Sequence, residues 1–131
     1  MKVLIVEDDV YIALYLKQLV IDFGYEVCAI ASTSAAAVGL AARHRPDIAI
    51  MDIRLARGDS GLDVARELHT AFGMRCIFLS GNLDDSAKTV AAPYEPVAFL
   101  HKPVSPLLLQ HALRKVRVTA KPGSFLLKRM A

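Results

Sequence analysis

The chain has 131 residues, room for one domain whose core should bury roughly two-thirds of the unfolded chain's surface. It is 54% apolar, in short Val, Ile, Leu and Ala runs that fall short of the ~20 residues of a bilayer-spanning helix. The net charge of +3 comes from the C-terminal end, where Arg114, Lys115, Arg117, Lys121, Lys128 and Arg129 meet no acid, while residues 1 to 102 are net acidic.

Lys2 to Val6 reads as a β-branched strand running into Glu7, Asp8 and Asp9. A helix follows from about Asp9 to Phe23. Ile12, Leu16, Leu19, Val20 and Phe23 share one face, Tyr11, Tyr15, Gln18 and Asp22 the other, and Asp9 is a candidate N-cap. Gly24 suits a left-handed cap just beyond that helix. Tyr25 to Ala31 is a second strand, and Ser32, Thr33 and Ser34 are N-cap candidates for an Ala-rich helix through Arg43. Asp47 to Asp52 forms a third strand and Gly61 to Phe72 a third helix closed by Gly73. Cys76 to Ser80 is a fourth strand. A weaker helix spans about Asp84 to Ala92 before Pro93 and Pro96. Val97 to Leu100 is a fifth strand, and Val104 to Val118 a fifth helix. Pro122 and Gly123 argue against helix continuation in a tail from 119 to 131.

Five strand–helix units in this order specify an α/β fold, a parallel sheet with helices on both faces joined by right-handed crossovers. In such sheets the site lies outside the carboxyl ends of the strands. The first strand ends at Glu7 and Asp8, the third at Asp52, the fourth at Ser80 and the fifth at Lys102, so one rim should gather carboxylates, a hydroxyl and an ammonium. Clustered carboxylates repel, and a hard divalent cation such as Mg²⁺ relieves that repulsion while accepting phosphate oxygens. A carboxylate beside Mg²⁺ is equipped to attack phosphorus, with Lys102 supplying a cation for one phosphoryl oxygen and Ser80 a hydroxyl for another. His101 should face away from Lys102 by strand alternation, and His44, His69 and His111 show no partner spacing. Cys28 and Cys76, inside apolar runs, read as reduced core thiols.

The Val3-Leu4-Ile5-Val6-Glu7-Asp8-Asp9 opening, the Ile48-Ala49-Ile50-Met51-Asp52 strand, the Phe78-Leu79-Ser80-Gly81 strand end and the Lys102-Pro103 pair resemble the response-regulator receiver family of two-component signalling. The resemblance covers residues 1 to about 118 and implies a flavodoxin-like three-layer fold with strand order 2-1-3-4-5. It implies Asp52 as phospho-acceptor and Mg²⁺ ligand, Asp8 as direct Mg²⁺ ligand, Glu7 as a second acid acting through water, and a Mg²⁺ contact from the Arg54 carbonyl. It further implies Lys102 on the phosphoryl group, Ser80 and Phe99 as switch residues, and Arg54 and Asn82 as positions that tune phosphoryl lifetime. The loop after Asp52 departs from the family pattern: Ala56 stands near the place of an expected Pro, and Gly61 comes one residue late.

The N-terminus runs into an apolar strand and then into acids without a cleavable signal pattern, so a cytoplasmic location is the default expectation. The resemblance implies a signalling switch that promotes only its own phosphorylation and dephosphorylation. Its phosphoryl group would come from a histidine kinase or a histidine phosphotransfer protein. Tyr11 and Tyr15 are either solvent-facing or a docking patch for that donor. A tail from 119 to 131 is too short for a DNA-binding helix-turn-helix, so output is expected by contact with a downstream protein, without direct DNA binding and with an activation-dependent homodimer as an option. A phosphorelay shuttle or phosphate sink is the alternative within signalling. A flavodoxin-like nucleotide or flavin binder is more remote, because neither GxGxxG nor GxxxxGK[ST] occurs.

Overall fold

The computed structural model describes residues 1–55, 58–82 and 85–116. Strands and helices alternate along them: β1 (Lys2–Val6), α1 (Val10–Asp22), β2 (Glu26–Ala31), α2 (Ser34–His44), β3 (Ile48–Asp52), α3 (Gly61–Phe72), β4 (Arg75–Ser80), α4 (Asp85–Ala91), β5 (Ala98–His101) and α5 (Pro106–Arg114). The strands form one parallel sheet in the order β2-β1-β3-β4-β5, as expected.

Strand alternation divides the core in two. Leu4, Val6, Ala49, Met51, Cys76 and Phe78 face α2, α3 and α4, which contribute Ala37, Ala41, Val64, Leu68 and Ala91. Val3, Ile5, Ile48, Ile50, Ile77 and Leu79 face α1 and α5, which contribute Leu16, Val20, Leu109 and Leu113. Both faces of β3 are covered, so all five of its residues are buried. Each fully buried Leu or Ile there is worth about 2–3 kcal/mol relative to exposure.

Helix starts follow side-chain caps. Asp9 Oδ1 accepts the Tyr11 and Ile12 amides, Thr33 serves α2, Ser60 serves α3 and Ser105 serves α5. Gly73, at φ +66°, ends α3 in the left-handed region. Most boundaries differ from the sequence expectation by at most a single residue, and three departures have a local cause. Pro93 converts the end of the fourth helix into a 3-10 turn over Ala92–Tyr94. β5 continues to His101 because Ser80 supplies a ladder partner. α5 begins only after the Ser105 cap and ends at Arg114, short of the expected Val118. Residues 117 to 131, with the expected basic tail, lie outside the described residues, as do Ala56 and Asp84.

β2 is slipped against β1: Val27 pairs with Val3 but Ala29 with Leu4, leaving Cys28 in a bulge where its thiol contacts the Val3 carbonyl at 3.5 Å. Cys28 is only half-buried, packed against the edge of the core, whereas Cys76 is buried within it; both are free. His69 is half-buried, its ring centroid 6.1 Å from that of Tyr94. Among the described residues no helix is long and apolar enough to cross a membrane.

Candidate functional site

Parallel pairing brings the carboxyl ends of β1, β3, β4 and β5 to one rim, and the four expected side-chain types meet there. Glu7 (2% exposed), Asp52 (4%) and Ser80 (5%) are the buried polar residues of the described chain. Lys102 follows β5, its amide donating to the Ser80 carbonyl at 2.9 Å. Its ammonium reaches back across the rim to Glu7 Oε1 at 2.7 Å and Asp52 Oδ2 at 3.1 Å. The remaining oxygens are also engaged. Asp52 Oδ1 accepts the Arg54 amide at 3.2 Å, and Glu7 Oε2 accepts the Asp9 amide at 3.4 Å. Among the described residues no buried side-chain nitrogen or oxygen lacks a partner.

Burial pushes the Glu7 carboxyl above the ordinary carboxylate range, and neighbouring Asp52 adds to the rise while Lys102 opposes it. Burial alone would depress the Lys102 ammonium, but its contacts with Glu7 and Asp52 prevail and raise it. Ligand oxygens of Glu7, Asp8 and Asp52 lie within 4.8 Å of one another. Three carboxylates facing one ammonium leave negative charge uncompensated in a partly desolvated place. That all-oxygen donor set fits a hard divalent cation that keeps some of its waters, Mg²⁺ above a thiophilic metal. Asp8 is half-buried, and a cleft of about 250 Å³ beside it is lined by Glu7, Ala13, Leu14, Ile30 and Ser32 among others.

Ser80 Oγ accepts the Asn82 amide at 3.1 Å, so the hydroxyl shapes the turn after β4 as well as lining the rim. Phe99 stacks on buried Phe78 with ring centroids 5.1 Å apart and planes at 15°. The Arg54 side chain is exposed, and His101 is exposed outside the cluster. Tyr11 and Tyr15 are solvent-facing, at 85% and 46% exposure.

Two participants were not singled out for the site from sequence. Gly61 abuts the acceptor strand so closely that a Cβ there would lie 1.9 Å from the Asp52 carbonyl oxygen. A glycine opening a helix directly after a serine cap was the available signal. Asp59 accepts the Ser34 amide at 3.1 Å and so joins the loop after β3 to α2, a tertiary link that local spacing does not encode.

The family model for the response regulator receiver domain matches residues 3–114. The phyllosphere-induced regulator PhyR of Methylorubrum extorquens is 36% identical over 104 residues, 72% of this chain and 39% of PhyR. The signal receiver domain of a modulated diguanylate cyclase from Desulfovibrio desulfuricans superposes with a TM-score of 0.80 at 30% identity, covering 88% of this chain and 91% of that one. The response regulator PhyR from Brucella abortus gives a TM-score of 0.76 at 27% identity, over 88% of this chain and 46% of that one. The chain thus spans less than half the length of either PhyR. On the sequence match and the shared fold, the chain belongs to the response regulator receiver domain family of two-component signalling.

Proposed function

We propose that the chain is a phosphorylation-controlled switch in which Asp52 accepts a phosphoryl group from a phosphohistidine of a histidine kinase or histidine phosphotransfer protein. An Asp52 carboxylate oxygen attacks phosphorus as the phosphorus–nitrogen bond breaks; the electron pair leaves with the imidazole, and an aspartyl phosphate remains. Water later cleaves that anhydride and restores the carboxylate. Asp8 and Asp52 directly, Glu7 through water and the Arg54 carbonyl would hold Mg²⁺, which when bound supplies positive charge for the phosphoryl oxygens. Lys102 neutralises one phosphoryl oxygen, and Arg54 and Asn82 border the group and set its lifetime.

The observation that carries this reading is the Lys102 ammonium 3.1 Å from Asp52 Oδ2, on a rim where three carboxylates converge. Once the phosphoryl group is on, the Ser80 hydroxyl turns toward it and Phe99 follows into the space released. The effect reaches a protein-binding surface of the receiver unit, residues 1–118. A bias of a few kcal/mol suffices if the active form is populated at about one percent beforehand. Incubation with Mg²⁺ and acetyl phosphate should raise the intact mass by about 80 Da. Asp52→Asn should abolish the gain; a gain retained in that variant would defeat the assignment.

A further inference from the structure

The Asp52 carboxylate is held from two sides, by Lys102 on Oδ2 and by the Arg54 amide on Oδ1. The second contact depends on where the chain goes after β3. There it closes a narrow hairpin: Arg54 bridges Ser60 in antiparallel fashion, the Leu55 amide donates to the Asp59 carbonyl at 3.0 Å, and the Gly61 amide donates to the Ile53 carbonyl at 2.8 Å. The returning limb is tied sideways. Asp59 Oδ2 accepts the amide of Ser34, the first residue of α2, at 3.1 Å, while Thr33, the helix's own cap, serves Ala36. First-turn amides have no acceptor within their helix, so this bond joins the hairpin to a donor that would otherwise need water.

We infer that Asp59 is a positioning residue for the phosphoryl acceptor: anchored on α2, it fixes the hairpin that keeps the Arg54 amide on Asp52. The functional consequence rests on the proposed role of Asp52; the anchor itself does not.

Two readouts on the intact chain separate these. Hydrogen exchange of the Arg54 amide, followed by NMR without metal, reports the anchor, and a calorimetric Mg²⁺ titration reports the site. Asp59→Ala should speed Arg54 exchange and weaken Mg²⁺ binding, each about tenfold. Asp59→Asn keeps an acceptor oxygen and should restore both. Thr33→Ala removes a cap from the same helix without touching the hairpin and should change neither. Asp59→Ala and Thr33→Ala acting alike on both readouts, or Asp59→Ala changing neither, would reduce Asp59 to a helix cap and overturn the inference. A wild-type chain that does not bind Mg²⁺ would defeat the reading of the acidic cluster, while Arg54 exchange still decides the anchor. Should Asp59→Ala not fold, Asp59→Leu, close in shape but without an acceptor, carries the same test: the Ser34 and Arg54 amides should lose protection together, and loss at Ser34 alone would overturn it.

Discussion

The Lys102 ammonium sits nearer to Glu7, at 2.7 Å, than to Asp52, at 3.1 Å, so one cation is shared between two buried carboxylates. That ammonium and a divalent ion would draw on the same oxygens. Lys102→Ala should therefore tighten Mg²⁺ binding, by removing a competing cation, yet slow phosphorylation at saturating Mg²⁺ by about 100-fold, because a phosphoryl oxygen loses its countercharge. Calorimetry and a phosphorylation time course check the two halves. Weaker Mg²⁺ binding with an unchanged rate would show that Lys102 serves the metal site and not the phosphoryl group.

Gly61 and Gly39 make a paired test of close approach. Gly61→Ala forces a methyl group onto the Asp52 backbone and should cost about 3 kcal/mol, read as a lower urea midpoint. Gly39 lies inside α2 with nothing within 4 Å of the corresponding Cβ, so Gly39→Ala should stabilise by about 0.5–1 kcal/mol. Equal effects at the two positions would mean that the α3 start is not packed on the acceptor.

Cys76 gives a pH dependence away from the site. Burial pushes its thiol from 9.0 up to about 12. Between those values the folded chain keeps a proton that the unfolded chain releases, so stability falls as pH rises through the window, by about 1.4 kcal/mol per unit. From pH 8 to 10.5 the native protein should lose about 2 kcal/mol more than Cys76→Ala, measured by urea unfolding. Parallel losses in the two proteins would place the Cys76 thiol in contact with water.

Much of the site could be read from the sequence because parallel strands deliver their carboxyl ends to one rim. Glu7, Asp8, Asp52, Ser80 and Lys102 each stand at or just past such an end, so finding the strands found the cluster. The helix boundaries with strong punctuation also agreed: α3 starts after Ser60 and stops at Gly73 as expected. Side-chain reach and chain-to-chain approach were not readable. That Lys102 would lie closer to Glu7 than to Asp52 depends on rotamers fixed by packing. The Gly61 approach to Asp52 and the Asp59 bond to Ser34 depend on how the loop folds over β3, and the Cys28 bulge depends on register between strands.

The most direct test of the central claim is chemical mapping of the phosphoryl group. After incubation with Mg²⁺ and acetyl phosphate, borohydride reduction converts an aspartyl phosphate into homoserine, which peptide mass spectrometry can place along the chain. The expected result is homoserine at the position of Asp52 alone, absent when Mg²⁺ is omitted. Homoserine at Asp8 or Asp9, or an unmodified peptide around Asp52, would contradict it.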